Sequence, residues 1–266
     1  TPIKSSAASD VYKRQAKGVF PLVEIPQGEI TDLGNITVDI SSVQAPQKLE
    51  ITLSIPGTEY KNSYPLWVYP TDLELNPASS VRIFTSLNQE AKSALDNGDK
   101  VLLLPTKEVL PTSIDGAFQT DFWCYAMFNK YNPPGTLGIL CDPKHPALAH
   151  FPTEFHSNWQ WWRLLKYGRP IDLKTLPIDY RPIVHVIDNV TLNRKLGVLL
   201  EAKVGKGRLL ICSMDLQNLQ DYPEGRQMYY SLLKYMDSSD FNPEQVIDIT
   251  PVSYTHLRAH ETPEHL

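Results

Sequence analysis

Cysteine is scarce: Cys124, Cys141 and Cys212 are the three in 266 residues. They are widely spaced, form no CxxC pair and match no zinc pattern, so neither a disulfide framework nor a structural zinc site is expected. Long apolar runs are missing too. The longest, residues 195–202 and 208–214, are strand-sized and far short of the roughly 20 residues a membrane helix needs. Positive charge is in deficit, with 25 Lys+Arg against 30 Asp+Glu and a net charge of −5. The basic residues are scattered, which argues against a nucleic-acid partner. No internal repeat is visible. What remains is a chain that is 42% hydrophobic and 10% aromatic, a globular composition able to build one large or two ordinary domains.

Both ends read as translated sequencing adapter. Residues 5–15, SSAASDVYKRQ, back-translate as one frame of a transposase-type library adapter, and residues 252–262, VSYTHLRAHET, as one frame of the opposite adapter. The flanks fit adapter and index. Residues 1–15 and 252–266 are therefore set aside, and the chain reads as a metagenomic fragment. The tail holds His256, His260 and His265, and their spacing carries no metal-site meaning in an adapter frame.

Residues 16–70 look all-β. Residues 36–40 and 49–55 alternate apolar and polar side chains, the half-buried strand pattern. Residues 64–69 add a third strand, with Leu66 and Val68 on one face and Trp67 and Tyr69 on the other. This reads as the last portion of a β-sandwich. Residues 71–80 make a polar linker. From 81 to 251 the period changes. Apolar strands at 81–87, 101–104, 137–141 and 183–187 alternate with helices, which predicts an α/β domain with a mainly parallel sheet. Asn88 and Gly98 bracket one helix. Ser157 and Gln160 form a capping-box pair before Trp161, with Gly168 closing that helix. Residues 196–204 and 208–214, joined at Gly205-Lys206-Gly207, read as a hairpin. A last helix starts at Asp221 with Glu224 at the box position and buries Met228, Tyr229, Leu232, Leu233 and Met236.

No catalytic residue and no cofactor site is assigned. Gly205-Lys206-Gly207 lacks the spacing of a phosphate loop and reads as a turn. A nucleophilic cysteine needs a tight elbow of small residues. Cys124 is flanked by Trp123 and Tyr125, Asp142-Pro143 follows Cys141, and Cys212 lies in mid-strand. His145, His150 and His156 have spacings that suit no one-faced helical metal site. The densest aromatic feature is Asn158-Trp159-Gln160-Trp161-Trp162. On a helix Trp161 joins the core face, while Trp159 and Trp162, three apart, share a neighbouring face. With His156 and Asn158 they form a candidate surface for a sugar ring or for another domain. Asp115, Gln119, Asp121 and Trp123 form a second polar–aromatic cluster of the same kind.

Four stretches carry a resemblance: IPGTEYKNSYPLWVYP (55–70), DGAFQTDFWCYAMF (115–128), GTLGILCDPKHPALAHFPTEFHSNWQWW (135–162), and PIVHVIDN with KLGVLLEAKVGKGRLLIC (182–189 and 195–212). They resemble the C-terminal region of large glycoside hydrolase family 2 proteins of gut Bacteroidetes, of the β-galactosidase or sugar-binding-domain type. The resemblance implies an amidotransferase-like α/β accessory domain without its nucleophile, preceded by the end of a β-sandwich. It implies a parent enzyme of the periplasm or the cell exterior, whose two catalytic glutamates sit on a (β/α)₈ barrel. Such a barrel takes about 250 residues, and a retaining pair stands about 5–5.5 Å apart on that frame. No glutamate here matches either role. The expected function is therefore a non-catalytic C-terminal piece of a glycan-degrading glycosidase, partnered by the catalytic barrel and supporting domain packing or carbohydrate binding. A carbohydrate-binding module in its own right and an independent amidotransferase-like hydrolase are the alternatives.

Overall fold

The computed structural model describes residues 4–8, 15–21, 23–41, 43–110, 113–119 and 135–247. The chain divides into two compact units, Thr1–Asp72 and Leu73–Leu266.

The first unit is a four-stranded antiparallel sheet. Its strands are β1 (Lys4–Ala8), β2 (Gln15–Val19), β3 (Gln47–Ser54) and β4 (Lys61–Val68), in the order β2-β1-β3-β4. The register sets Leu49 against Leu66 and Ile51 against Tyr64 on one face, and Lys48 against Trp67 and Thr52 against Ser63 on the other. Cross-strand pairs of this kind are the unit of sheet stabilisation. The Lys48 ammonium lies 5.7 Å from the Trp67 ring centroid, and the Thr52 and Ser63 hydroxyls are 2.8 Å apart. Pro65 stands in β4, an edge strand. Counting from the Ile55 N–H to Tyr60 carbonyl bond, paired residues alternate between bonded and non-bonded classes, and Glu50–Pro65 falls in the second. The N–H that proline lacks would have pointed away from β3, so the ladder loses nothing.

Two expectations change here. Residues 36–40 are not a strand. The alternation is present, but no strand pairs with it, and Ile36, Val38 and Ile40 remain exposed. Lys4–Ala8, inside the stretch read as adapter, pairs with β2 and β3 along its whole length. Main-chain ladders demand little of side-chain identity, so this pairing speaks for neither origin. Among the described residues of this unit, Val68 alone is buried.

The second unit is α/β. It runs β5 (Val81–Phe84), α1 (Gln89–Asn97), β6 (Lys100–Leu103), β7 (Ile139–Cys141), α2 (Trp162–Lys166), β8 (Ile171–Asp172), β9 (Val184–Val186), β10 (Leu196–Val204), β11 (Gly207–Cys212) and α3 (Pro223–Asp237). The sheet order is β5-β6-β11-β10-β9-β7, with β8 beside β10. Among the described strand pairs, β5–β6 and β6–β11 are parallel; β10 is antiparallel to β11, β9 and β8, and β7 to β9. The mainly parallel sheet of the sequence reading is thus corrected to a mixed one. An apolar run signals burial on both faces but not strand direction, and the tight turn at Gly205-Lys206 leads β10 directly back into β11.

Helices cover both faces. Ala94 and Leu95 of α1 pack on Val101, Leu103, Ala202, Val204 and Leu209. The Asn88 side chain accepts from the Ala91 N–H at 2.9 Å, and Gly98 ends the helix at φ 95°. Both follow the expected chemistry, an asparagine side chain satisfying a free N–H at the start and a left-handed glycine at the close. A Cβ on Gly207 would fall against the Leu95 backbone, so glycine permits the close approach of α1 to β11. On the opposite face α3 buries Met228, Leu232, Leu233, Tyr235 and Met236. Tyr229 is only half-buried, and Pro223 rather than a capping box opens the helix. Glu224 instead accepts from Arg163 Nη1 at 2.7 Å.

Before β10, the Asp188 carboxylate is fully buried. It accepts from Arg194 Nε and backbone N–H at 2.8 Å, from Arg194 Nη2 at 3.1 Å and from Asn189 Nδ2 at 2.9 Å. Burial alone would raise this carboxyl, yet these donors hold it below its ordinary value. Removing one partner of such a pair strands a buried charge. Arg194→Ala is expected to cost about 3–5 kcal/mol in urea denaturation at neutral pH. Because the folded carboxyl titrates lower than the unfolded one, its contribution is present above the unfolded value and fades as pH falls through the folded one. The gap between wild type and variant should therefore shrink in strong acid. A difference below about 1 kcal/mol at pH 7 would show that the pair adds nothing.

Candidate functional site

The aromatic stretch folds as a 3-10 turn, Trp159–Trp161, leading into α2. The expected capping box does not form. Asn158 is the cap: its Oδ1 accepts from the Trp159 N–H at 2.8 Å, and its Nδ2 donates to Glu154 Oε2 at 3.1 Å. Trp161 is wholly buried. Its indole N–H reaches Thr153 Oγ1 at 2.8 Å, and its ring meets Phe151 edge-on with centroids 5.3 Å apart. Burying so large a ring with its polar atom satisfied makes it the anchor of the segment.

Trp159 emerges on the other side, 71% exposed. Its ring lies tilted against Phe118, with centroids 6.1 Å apart. Phe118 belongs to loop 113–119, which is held on two sides. The Ile114 and Gly116 N–H groups donate to Pro170 and Gly168. Thr136 Oγ1 bonds the Ala117 main chain, and Gln119 Oε1 accepts from Gly135 N–H at 3.2 Å. Phe155, 61% exposed, stands edge-on to His156 at 4.7 Å. His156 Nδ1 donates to the Ser157 carbonyl at 3.1 Å, which leaves Nε2 as the acceptor of the neutral ring.

Trp162 does not share this patch as the helical spacing suggested. Its ring partners are Tyr167, edge-on at 6.5 Å, and the Arg163 guanidinium at 5.7 Å. The two indoles stand on either side of the change from the 3-10 turn to α2, and each ring takes its own partners. Asp115 lies apart, in an ion pair with Arg169, which also donates to Ser113 Oγ at 3.1 Å. Gln119 sits beside Phe118 in the loop. Asp121 and Trp123 lie outside the described residues, as does Cys124.

A separate cleft was missed by sequence reasoning. A cleft of about 350 Å3 is lined by Leu140, Cys141, Asp142, His145, Arg181, Pro182, Ile183 and Glu201. Glu201 stands in mid-β10, and its Oε2 accepts from the buried Tyr235 hydroxyl at 2.5 Å. Its Oε1 faces His145 Nε2 at 3.8 Å. His145 Nδ1 accepts from the Ala147 N–H at 3.2 Å, which assigns the ring proton to Nε2. Burial lowers the His145 pKa, against the opposing pull of Glu201 and Asp142. Burial, with Asp142 beside it, pushes the Cys141 thiol up to about 11. That is the reverse of what an activated nucleophile needs.

Residues 82–255 match the model of a family described as Domain of unknown function (DUF8487). The chain belongs to the DUF8487 family. Residues 5–70 match a second, described as Domain of unknown function (DUF8488). No curated protein matches the chain. The aromatic turn and the cleft both lie within the DUF8487 match.

Within that region the two indoles make opposite demands. Trp161→Ala should cost about 3–5 kcal/mol, the range for emptying a large core site. Trp159→Ala should change stability by no more than about 0.5 kcal/mol. Denaturant titration of the two variants, side by side, checks the pair, and equal losses would contradict this division of labour.

Proposed function

We propose that this chain is a non-catalytic accessory region of a glycan-degrading glycosidase of the family 2 type, and that its α/β unit holds glycan at the Trp159 face. The observation that carries the reading is the exposed Trp159 indole, braced by Phe118 and fixed by the buried Trp161 two residues on. A flat, rigid aromatic surface loses little entropy on binding and offers a face to the C–H side of a sugar ring. Nearby in sequence, Phe155 is exposed and stands edge-on to His156, whose Nδ1 is bonded to the Ser157 carbonyl.

The amidotransferase-like plan is the finer fold we assign to this unit, on the strength of the parallel β5–β6–β11 core with helices on both faces. Two of its cysteines do not favour that family's chemistry. Cys212 is buried within β11 with its thiol pushed up to about 12, chiefly by burial, and Cys141 is shifted the same way. The sequence stretches quoted above favour a family 2 parent, and an open mixed sheet is not the frame on which a retaining carboxylate pair is built. The first unit is assigned as part of a β-sandwich by the same resemblance.

Affinity electrophoresis of the full chain in gels containing β-galactan, xylan or pectin tests the reading. At least one polysaccharide should retard wild type. Trp159→Ala should abolish the retardation, Phe118→Ala should weaken it several-fold, and Trp162→Ala should leave it intact. Unretarded wild type across the panel, or unchanged retardation of Trp159→Ala, would refute the Trp159 face as a glycan site.

A further inference from the structure

We propose that the cleft between residues 140–145 and 181–183 is a binding pocket for a single neutral hexose unit, with Glu201 and His145 gripping one of its hydroxyls. The choice of a sugar rests on the carbohydrate reading above; the pocket itself rests on its own geometry.

Glu201 interrupts the apolar run of β10, and its side chain is only 20% exposed. Two buried tyrosines fix it. The Tyr235 hydroxyl donates to Oε2 at 2.5 Å, and the Tyr180 hydroxyl donates to the Glu201 carbonyl at 2.9 Å. Oε1 is thereby turned to His145 across the cleft. Tyr235 also meets the His145 ring edge-on, with centroids 5.6 Å apart, so one buried side chain steadies both groups. An acceptor oxygen and an N–H donor 3.8 Å apart are too distant to bond each other well. A hydroxyl oxygen between them can reach both at about 2.8 Å.

The mixture of groups selects the ligand class. Arg181 brings a cation whose Nη1 is tied to the Ile178 and Tyr180 carbonyls at 2.9 and 3.0 Å. Glu201 and Asp142 bring carboxylates. An anion would meet two carboxylates, and a metal or amine would meet the guanidinium. Hydroxyls, each a donor and an acceptor, match a site that offers both. Leu140, Pro182 and Ile183 supply apolar walls for the C–H faces. About 350 Å3 lies at the small end of ligand pockets, suited to one ring rather than a chain.

Saturation-transfer NMR of the full chain with methyl β-D-galactoside and with D-glucose tests the pocket. At least one sugar should bind with a millimolar Kd. Glu201→Gln and, independently, His145→Asn should weaken it at least tenfold. The asparagine retains an acceptor for the Ala147 N–H, so it reports on the lost Nε2 donor even where the glutamine variant folds poorly. Trp162→Ala, which lies in neither site, should leave monosaccharide binding intact. Loss of monosaccharide binding in Trp159→Ala, with Glu201→Gln and His145→Asn unaffected, would overturn the pocket and keep the Trp159 face. Binding lost only in the cleft variants, with no polysaccharide retardation, would keep the pocket and overturn the Trp159 face. No transfer to either sugar at about 50 mM, on the order of ten times a weak millimolar Kd, or tighter binding of putrescine in their place, would overturn the hexose assignment outright.

Discussion

Strand β11 is the constraint on which the α/β unit turns. It pairs in parallel with β6 along one edge and antiparallel with β10 along the other. The βαβ half and the reversed half of the sheet meet there and nowhere else. Its first residue, Gly207, lets α1 come down onto the sheet. The strand it turns back from, β10, carries Glu201 at the same level as Leu210 of β11. Slipping this register by one residue would exchange the two faces. Ala202 would leave the α1 side, and Glu201 would enter it.

Both candidate sites follow one rule: a buried aromatic holds a neighbouring group at the surface. Trp161, with its indole N–H satisfied by Thr153, pins the turn that displays Trp159. Tyr235, buried in α3, pins Glu201 and braces His145. In each case the entropy of placing the exposed group is lost when the core folds rather than when a ligand arrives. Trp159 and Trp162 have different ring partners, Phe118 and Tyr167, so only the first belongs to this display.

Local signals in the sequence were legible. Asn88 and Gly98 bracket α1 as their chemistry requires, and the apolar spacing of 228–236 places most of α3's core face. The burial of Trp161 also follows from spacing, which left Trp159 and Trp162 undivided on a neighbouring face. What could not be read was anything set by distant partners. The alternation at 36–40 is that of a strand, yet nothing pairs with it. The β10–β11 hairpin was legible at Gly205-Lys206-Gly207, but the direction of β7 and β9 is invisible in their composition. Ser157 looked like a cap, but Asn158, held by Glu154, took the position. The cleft joins residues from three separated stretches, 140–145, 181–183 and 201, so no motif could announce it. Its one trace was a glutamate directly after the apolar LGVLL of β10, a residue type seldom covered unless it is paired.

Pro65 carries a different kind of consequence. Among the described residues no strand pairs with the outer rim of β4, a row of main-chain groups, and unpaired rims are where sheets recruit strangers. With no N–H on its outward side, Pro65 leaves a gap in that row near its centre. A strand arriving from solvent would find donors above and below but none in the middle. The sheet is in this sense terminated on the β4 flank.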